Sequence, residues 1–417
     1  MKYVIIGNSA AGIGAVEGIR HMDKDGEITI ITNERHHTYS RPLISYLLLG
    51  KVTREGIKYR NDRFYKDYNC KLLADTTVTV IEAGEKKVVL QDGKKIPYDK
   101  LLVATGSSPF VPVFEGLDTV VDKHTFMSLD DADGLDAALG GDKRVLIIGA
   151  GLIGLKCAEG ILKRVSRITV VDLAPRILSS ILDDEGAKLV QSHLESKGLE
   201  FRLAASVKNF AVNQAVLESG EIIDFDVLVL AVGVRPNTSL LNGIARIERG
   251  IVVNEKSETT APAIYAAGDC TQTLDVSSGQ NKVMALLPNA YMQGECAGIN
   301  MTGSAAGGAS FDKAIPMNAI GFLGLHVITA GNYDGQVYSE SNNPKADENS
   351  YKRLFFSNNK LNGYILIGNV EKAGIYTNLI REHTPLDTID FKLVCEKPGL
   401  MAFTKESRME KLGKAAS

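Results

Sequence analysis

The sequence lacks any arrangement of cysteines that would indicate thiol or metal chemistry. Its five cysteines are scattered, without a CxxC pair or the spacing of a metal site, so each is expected to be a small structural residue. The neighbouring His36 and His37 are accompanied by no cysteine or carboxylate cluster, which argues against a metal centre there. We therefore expect no metal in this protein.

The sequence also has no long hydrophobic run and no strong charge. No apolar stretch is long enough to span a bilayer, and residues 1 to 6 are predicted to form a strand rather than part of a signal peptide. A net charge of −3 gives no indication of a nucleic-acid partner. These absences favour a cytoplasmic protein. With 417 residues, 44% of them hydrophobic, the chain can form two or three domains.

The sequence does contain a dinucleotide-binding fingerprint, and its first copy is KYVIIGNSAAGIG. This copy is an apolar strand, a turn with Gly7 and Gly12, and the start of a helix; Ser9 stands where glycine is usual. Small residues in such a turn allow backbone N–H groups and a helix N-terminus to approach a pyrophosphate. The next predicted strand ends at Glu34, 22 residues after Gly12, where an acid can bind ribose hydroxyls.

The second copy, KRVLIIGAGLIG, has all three glycines of the fingerprint, Gly149, Gly151 and Gly154. The strand RITVVD then places Asp172 at its end, 18 residues after Gly154. Strand, turn, helix, strand and terminal acid thus occur in order twice, so we interpret both copies as nucleotide sites. Two nucleotides in one chain indicate electron transfer between two cofactors.

A second internal repeat indicates where each nucleotide-binding unit ends. VVLQDGKKIPYDKLLVATGSSP, residues 88–109, is similar to AVLESGEIIDFDVLVLAVGVRP, residues 215–236. Both predict a hairpin followed by a buried strand that ends in glycine. ETTAPAIYAAGDC, residues 258–270, predicts one more short strand before a helix. We expect this last segment to return to the first unit and complete it.

We predict an α/β protein with two doubly wound, Rossmann-like nucleotide-binding domains and a C-terminal α+β domain. The first domain is discontinuous, with predicted limits 1–110 and 237–307, and the second covers 111–236. Residues 308–404 form the third domain, where strands alternate with polar turns before a helix. Residues 405–417 are expected to be a flexible, solvated tail.

These motifs together resemble the FAD- and NAD(P)H-dependent pyridine nucleotide-disulfide oxidoreductase superfamily. The resemblance covers nearly the whole chain and rests on VIIGNSAAG, LLVATGSSP, VLIIGAGLIG, AVGVRPN and YAAGDC. Residues 34–45, ERHHTYSRPLIS, and the closing LNGYILIGNVEKAGIYTNLIREHTPL are most similar to one branch. That branch contains NADH:rubredoxin reductases, the flavoprotein part of assimilatory nitrite reductases, and NADH oxidases.

By this resemblance the first domain binds FAD and the second binds NADH. The expected FAD-binding residues are Gly7, Ser9, Ala10, Ala11, Gly12, Glu34, Arg41, Pro42, Ala104, Thr105, Gly106, Gly268, Asp269, Pro288, Asn289 and Ala290. The expected NAD-binding residues are Gly149, Gly151, Leu152, Ile153, Gly154, Asp172, Val232 and Gly233. Asp172 favours NADH over NADPH, because a carboxylate binds a free ribose diol and repels a 2′-phosphate. Arg176 is the nearby cation that would favour NADPH.

The resemblance also implies roles for residues around the flavin. Glu34 would bind the adenosine ribose and Asp269 the ribityl chain, while the helix after Pro288 would direct its N-terminus at the ring. Arg41 is expected beside the isoalloxazine, where a fixed positive charge favours reduced flavin. The amides of Asn289 and Gln293 are alternative ring contacts, with helix packing as the competing interpretation.

Lys156 departs from the pattern of the superfamily. Many members have glutamate at this helix position, where it pairs with a basic group near flavin N5. Here the charge is reversed. Either Lys156 itself faces the ring, or Glu159, one helical turn later, takes the pairing role.

The region from Tyr39 to Ser45 contains no cysteine, and the nearest one is Cys70. Disulfide reductases of the superfamily carry a redox-active cysteine pair there, and their peroxidase and oxidase relatives a single cysteine. We therefore predict an FAD-dependent NADH oxidoreductase that passes electrons, without a thiol, to a small iron–sulfur or rubredoxin-type protein. An NADH oxidase that reduces dioxygen and a flavoprotein subunit of a larger redox complex are the alternatives. The C-terminal domain is expected to contact a second copy or a partner subunit.

Overall fold

The computed structural model describes residues 1–303, 308–341, 350–406 and 408–409. The chain divides into two compact units. The first consists of Met1–Leu178, Gly198–Leu274 and Asn281–Asp312, and the second of Ser179–Lys197, Asp275–Gln280 and Lys313–Ser417. Most of the predicted tail, 405–417, and residues 304–307 of the predicted first domain lie outside the described residues.

The first 110 residues alternate apolar strands with helices, as the first fingerprint predicts. In the first strand all residues except Lys2 are buried, and the small residues of the following helix allow it to pack closely. The elements are β1 (Lys2–Ile6), α1 (Ala10–Met22), β2 (Glu27–Ile31), α2 (Ile44–Leu48), α3 (Phe64–Asp67), β3 (Cys70–Leu73), β4 (Val78–Glu82), β5 (Lys87–Leu90), β6 (Lys95–Pro97), β7 (Lys100–Val103) and β8 (Ser107–Pro109). A 3-10 helix, Arg41–Leu43, immediately precedes α2.

The middle of the chain repeats this pattern around the second fingerprint. Its elements are β9 (Lys123–His124), α4 (Leu129–Ala138), β10 (Arg144–Ile148), α5 (Leu152–Ile161), β11 (Arg167–Val171), α6 (Asp184–Ser196), β12 (Leu199–Arg202), β13 (Val207–Ala211), β14 (Gln214–Leu217), β15 (Ile222–Asp224), β16 (Val227–Leu230) and β17 (Val234–Pro236). Residues 251–301 then add β18 (Ile251–Val252), β19 (Ile264–Ala266), β20 (Thr271–Asp275), β21 (Gln280–Lys282) and α7 (Leu287–Met301).

Two parallel five-stranded sheets form the cores of the nucleotide-binding modules. The strand orders are β19-β7-β1-β2-β3 and β12-β11-β10-β16-β9. In the first sheet β19 pairs with β7, with Ile264 opposite Leu101, so the segment expected to return to the first unit does join its sheet. Fully buried strands such as β16, VLVL, are typical of parallel sheets that are covered on both faces. The predicted doubly wound α/β class is confirmed.

Helices α1 and α7 pack with their backbones in close approach. A Cβ placed on Gly294 would lie 2.0 Å from the carbonyl oxygen of Ala11, and one on Gly298 would lie 2.3 Å from that of Ala15. Only glycine fits at these two positions of α7. Because α1 carries the first fingerprint turn, this contact fixes the helix that begins at the predicted FAD pyrophosphate.

The second unit is built on an antiparallel sheet, as predicted for the C-terminal α+β domain. Its elements are β22 (Met317–Phe322), β23 (Leu325–Gly331), β24 (Gln336–Ser341), β25 (Tyr351–Ser357), β26 (Lys360–Ile367), α8 (Ala373–Arg381) and α9 (Phe391–Glu396). The strand order is β22-β23-β26-β25-β24. Tyr364, Tyr376, Leu379 and Val394 form part of the core between the sheet and its helices.

Helix α6 is attached to this sheet through its N-cap residue. Asp183 accepts hydrogen bonds from the backbone N–H of Gly186 at 2.9 Å, the Tyr351 hydroxyl at 2.7 Å and the Arg353 guanidinium at 2.5 Å. The Tyr333 hydroxyl also donates to the Ile181 carbonyl at 2.8 Å. The sequence prediction assigns residues 179–197 to the 111–236 domain, whereas these contacts group them with the C-terminal unit.

Candidate nucleotide sites and their junction

The first fingerprint turn joins β1 to α1 and leaves no room for side chains. Gly7 has φ 121°, and a Cβ there would lie 2.1 Å from the Ala104 carbonyl oxygen at the end of β7. A Cβ on Gly12 would lie 2.1 Å from the Gly7 carbonyl oxygen. The helix begins at Ala10, and the side chain of its N-cap Ser9 makes no capping hydrogen bond. The first-turn N–H groups are therefore arranged as an anion site at the carboxyl edge of the sheet.

The second fingerprint turn has the same geometry. Gly149 has φ 114°, with its Cβ position 2.3 Å from the Ala231 carbonyl oxygen, and the Cβ position of Gly154 is 2.0 Å from the Gly149 carbonyl oxygen. Gly151 is the N-cap of α5. At the end of β11, the Asp172 carboxylate accepts hydrogen bonds from the backbone N–H groups of residues 150 and 174, at 2.6 and 2.7 Å. The carboxylate is thus fixed beside the turn, where a ribose would lie.

Glu34 and Arg41, which the sequence predicts for two parts of the FAD site, form one ion pair. Glu34 also accepts a hydrogen bond from the Tyr39 hydroxyl at 2.7 Å, and Arg41 donates to the Met127 carbonyl at 3.2 Å. Pro42, predicted beside them, follows in the 3-10 helix. The roles of Glu34 and Arg41 toward FAD stay predictions.

The GD motif, Gly268-Asp269, lies in a turn that the Gln293 side chain stabilises through hydrogen bonds. Gly268 has φ 83°, and its N–H donates to Gln293 Oε1 at 2.8 Å, as does the Thr271 hydroxyl at 3.0 Å. Among the described residues Gln293 Nε2 is buried without a hydrogen-bond partner. The Gln293 amide thus positions Gly268, a role that the sequence prediction, which considered it as a ring contact, does not include.

Asp269 is a partly buried carboxylate near two polar groups, Ser107 and Arg41. The Ser107 hydroxyl donates to it at 3.2 Å. Burial raises the pKa of Asp269, whereas the Ser107 hydrogen bond and the positive charge of Arg41 lower it. The charge interaction with Arg41 indicates that the GD motif and the RP motif lie near each other, and their shared role toward FAD stays a prediction.

The strand end Ala104-Thr105-Gly106 is tied to Asn237, which the sequence prediction does not single out. The Thr105 hydroxyl donates to the Asn237 carbonyl at 2.7 Å, and the Asn237 amide donates to the Thr105 carbonyl at 2.9 Å. The only sequence signal for this residue is its position directly after the second copy of the hairpin repeat, in AVGVRPN. Of the remaining predicted residues, Asn289 and Ala290 are buried in the first two turns of α7, which has Pro288 at its start.

Lys156 and Glu159 form an ion pair within α5, and both side chains are mostly buried, at 15% and 3% exposure. The Lys156 ammonium also lies 4.2 Å from the centre of the Tyr46 ring in α2. Tyr46 stands one residue after the Tyr39 to Ser45 region that lacks cysteine. The reversed charge at Lys156 is therefore neutralised locally by Glu159.

None of the cysteines has the environment of a reactive thiolate. All five are unpaired and only Cys70 is partly exposed. Burial raises the pKa of Cys70, Cys270, Cys296 and Cys395 to about 11, and it also raises that of Cys157. In the described part of the chain no group of His, Cys, Asp or Glu side chains is suited to a metal ion, and no helix has the length and apolarity needed to cross a bilayer.

The residues present fit two dinucleotides. Each module offers a turn that a Cβ would block, a helix N-terminus behind it and an acid at the end of the following strand. The first module adds the partly buried GD carboxylate and a Gln293 amide nitrogen that has no hydrogen-bond partner among the residues that the structure describes. This set of groups is suited to FAD in the first site and NADH in the second.

Comparisons with known proteins support this assignment over most of the chain. The family model of the pyridine nucleotide-disulphide oxidoreductases matches residues 1–294, and that of the rubredoxin NAD+ reductase C-terminal domain matches residues 316–384. The chain is similar to NADH-dependent phenylglyoxylate dehydrogenase subunit epsilon from Aromatoleum evansii, with 30% identity over 94% of both chains. It is also similar to NADH oxidase from Methanocaldococcus jannaschii, with 33% identity over 73% of this chain and 70% of the relative.

Among solved structures, NADH:rubredoxin oxidoreductase from Clostridium acetobutylicum has a TM-score of 0.75 and 26% identity, and the match covers 93% of this chain and 94% of the other. This similarity includes the two nucleotide-binding modules and the C-terminal domain. The chain therefore belongs to the pyridine nucleotide-disulphide oxidoreductase family, as predicted, and is an FAD-dependent oxidoreductase that takes electrons from NADH.

Proposed function

We propose that this protein oxidises NADH and passes the electrons from FAD directly to a small iron–sulfur or rubredoxin-type protein. One observation carries the proposal: the segment from Tyr39 to Ser45, where thiol-dependent members of the family place their cysteines, contains no cysteine. The match of residues 316–384 to the rubredoxin reductase C-terminal domain supports the same acceptor class. The similarity to an NADH:rubredoxin oxidoreductase supports it further.

In this proposal the protein acts mainly by positioning. FAD, when bound, accepts two electrons as a hydride and can release them one at a time. The backbone N–H groups of the two turns bind the pyrophosphates, Asp172 binds the NADH ribose, and Asp269 binds the ribityl chain. No protein acid or base is needed for hydride transfer, so the geometry of the two sites provides most of the rate.

We also propose three domains, with the limits 1–110 together with 237–307 for the first, 111–236 for the second and 308–404 for the third.

The test is an anaerobic titration of the FAD-loaded protein with NADH and, separately, NADPH, followed by addition of oxidised rubredoxin or a [2Fe–2S] ferredoxin. We expect one equivalent of NADH to bleach the flavin absorbance, and the acceptor to restore it in much less time than buffer alone. Failure of NADH to bleach the flavin, or of every such acceptor to restore it, would overturn the proposal.

Reduction of dioxygen is the second candidate function, because a relative with 33% identity is named NADH oxidase. It predicts rapid NADH-dependent oxygen uptake by the isolated protein, at a rate at least equal to that with rubredoxin. A subunit role is the third, because a relative with 30% identity over 94% of its length is named as subunit epsilon of a dehydrogenase. It predicts partner subunits that copurify and little NADH oxidation in their absence. The C-terminal domain is the proposed contact, to such a partner or to a second copy.

A further inference from the structure

Helices α2 and α5 pack along a line that we name the α2–α5 seam, with Lys156, Gly160 and Arg164 on the α5 side. These residues are spaced four apart, so they share one face of the helix and its 3-10 extension, Leu162–Arg164. A Cβ on Gly160 would lie 2.9 Å from the Ser45 carbonyl oxygen. The Arg164 guanidinium contacts the Leu48 carbonyl at 3.5 Å. The α5 side of the seam therefore approaches the backbone of α2.

Each helix of the seam starts at one nucleotide site. The 3-10 helix before α2 begins with Arg41, whose charge interacts with Asp269 in the first site. Helix α5 begins directly after Gly151, in the second fingerprint turn. Lys156 follows Gly151 by five residues, which is about 7.5 Å along the helix axis. If the two rings meet between the starts of these helices, as hydride transfer in the proposed function requires, the end of the seam that carries Lys156 is the end near the rings.

At the Lys156 end of the seam, α5 buries an ion pair at a place where apolar side chains could pack. The Lys156 ammonium is held between the Glu159 carboxylate of its own helix and the face of the Tyr46 ring, 4.2 Å away. Taking two charges out of water is expensive, and such pairs often contribute no more stability than well-packed apolar residues of the same volume. Stability alone therefore does not account for the pair, whereas an electrostatic effect on a nearby cofactor does.

We propose that the positive charge of Lys156 sets the reduction potential of the bound FAD and that the Glu159 carboxylate opposes this effect. The inference rests on the proposed function, since it requires FAD and NADH to meet at the seam. A fixed cation near the ring stabilises the negative charge that the flavin gains on reduction, and a nearby carboxylate weakens this effect. The Tyr46 ring holds the ammonium in place.

Two single substitutions test the proposal because they predict shifts of opposite sign. Lys156→Met should make reduction of the FAD less favourable by about tenfold, which corresponds to about 30 mV for a two-electron couple. Glu159→Gln removes the carboxylate that opposes the cation and should make reduction more favourable. The measurement is the midpoint potential in an anaerobic equilibrium titration against a reference dye. Lys156→Arg should keep the wild-type potential, and so should Lys163→Met, which removes an exposed lysine near the other end of the seam.

Shifts in the same direction for Lys156→Met and Glu159→Gln, or no shift in either, would overturn the role of Lys156. A merely structural pair predicts one of those two results. If a single variant does not fold, the double variant Lys156→Met/Glu159→Gln keeps the volume and removes both charges; its potential should be closer to wild type than that of the remaining single variant. A potential of the double variant as far from wild type as that of the single variant contradicts the proposal.

If wild-type protein binds no FAD or is not reduced by NADH, the proposed function fails. If wild-type protein is reduced and the variants have the same potential, only this inference fails.

Discussion

Asp172 is the residue that we propose to select the nucleotide in this chain. Its carboxylate is fixed by two backbone N–H groups at 2.6 and 2.7 Å, so it cannot turn away from an approaching 2′-phosphate. We expect Asp172→Asn, which keeps an acceptor and loses the charge, to reduce the ratio of kcat/KM for NADH to kcat/KM for NADPH by about tenfold or more. A tenfold change corresponds to about 1.4 kcal/mol. Steady-state kinetics with ferricyanide as acceptor measure this ratio.

Arg176→Ala is the matched control for Asp172→Asn. If Arg176 is a surface cation with no part in recognition, the nucleotide ratio should stay within about twofold of wild type, as for most single surface changes. A large loss of NADPH turnover in this variant, together with an unchanged ratio in Asp172→Asn, would transfer the selection of nucleotide from Asp172 to Arg176.

If Asp269 binds FAD as proposed, the needs of stability and of cofactor binding conflict at this position. Burial raises the pKa of its carboxyl, so the charged form destabilises the folded apoprotein, and this destabilisation grows as the pH rises through the raised pKa. We expect Asp269→Asn to stabilise the apoprotein at pH 7, with a difference from wild type that disappears in acid, where the carboxyl is neutral.

The same substitution should weaken FAD binding by about tenfold, the value of one hydrogen bond to a charged group. Thermal unfolding of both apoproteins from pH 4 to pH 8, with fluorescence titration of FAD at pH 7, measures the two effects. Equal stability at every pH would contradict the assigned cause of the pKa shift. Ser107→Ala, which removes the hydrogen bond and keeps the carboxylate, is the control for the local contact.

At this scale the sequence predicts residues that belong to a local motif. Gly7 and Gly149 begin the two fingerprint turns, and Asp172 ends the strand that follows the second turn, so the spacing of the fingerprint identifies them. The contact between Lys156 and Tyr46 joins residues about 110 positions apart. No local pattern encodes such a contact, which explains why the sequence leaves the role of Lys156 open.

At the scale of elements, the contact between α1 and α7 depends on glycines in both helices. Gly298→Ala would place a Cβ 2.3 Å from the Ala15 carbonyl oxygen, so the helices must separate. We expect the free energy of unfolding to fall by about 3 kcal/mol, as for severe overpacking of a core, and FAD affinity to fall with it. Urea unfolding followed by circular dichroism measures the change.

Gly374→Ala is the control for Gly298→Ala, since both are glycine-to-alanine changes within helices. Among the described residues nothing lies within 4 Å of a Cβ at Gly374, which is exposed in the first turn of α8. Alanine there should increase stability by about 0.5 kcal/mol through helix propensity. Equal losses in the two variants would show that the close approach of α1 and α7 is not what makes Gly298 necessary.

The N-cap of α6 is a second element whose contacts extend beyond capping. Asp183→Ala removes the cap and leaves the Tyr351 hydroxyl and the Arg353 guanidinium without their carboxylate. We expect a loss of about 3 kcal/mol, because a cap contributes about 1 kcal/mol and hydrogen bonds to charged groups contribute more. Ser128→Ala, which removes only the capping box of α4, should reduce stability by about 1 kcal/mol in the same urea unfolding assay. Equal losses would contradict the role of the tyrosine and arginine.

The two doubly wound modules could be predicted because β1 and β10, the first strand of each fingerprint, are mostly apolar runs that end at a glycine turn before a helix. The grouping of α6 with the C-terminal unit could not. Asp183 is an ordinary N-cap in the sequence, and the side chains that bind it, Tyr351 and Arg353, are about 170 residues away. Only the folded structure shows that this cap is also a tertiary contact.

For the whole molecule, the proposed electron route predicts that thiol reagents have little effect. Burial raises the pKa of every cysteine thiol, to about 11 for four of the five, so thiolate is scarce at pH 8. We expect iodoacetamide or arsenite at pH 8, after reduction with NADH, to leave acceptor reduction within about 20% of the untreated rate, because the thiolate is the reactive form. Mass spectrometry of the treated protein determines which cysteines are modified, and inactivation that parallels modification of one cysteine would contradict a thiol-free route.

The return of β19 and α7 to the first sheet also constrains the order of events during synthesis. Strand β7 is complete at Val103, but its neighbour β19 begins at Ile264 and α7 only at Leu287. At translation rates of 5 to 20 residues per second, the first module waits roughly 10 to 40 s on the ribosome with one sheet edge and the glycine face of α1 uncovered. The second fingerprint module is made within that interval, so it can fold while the first is still incomplete.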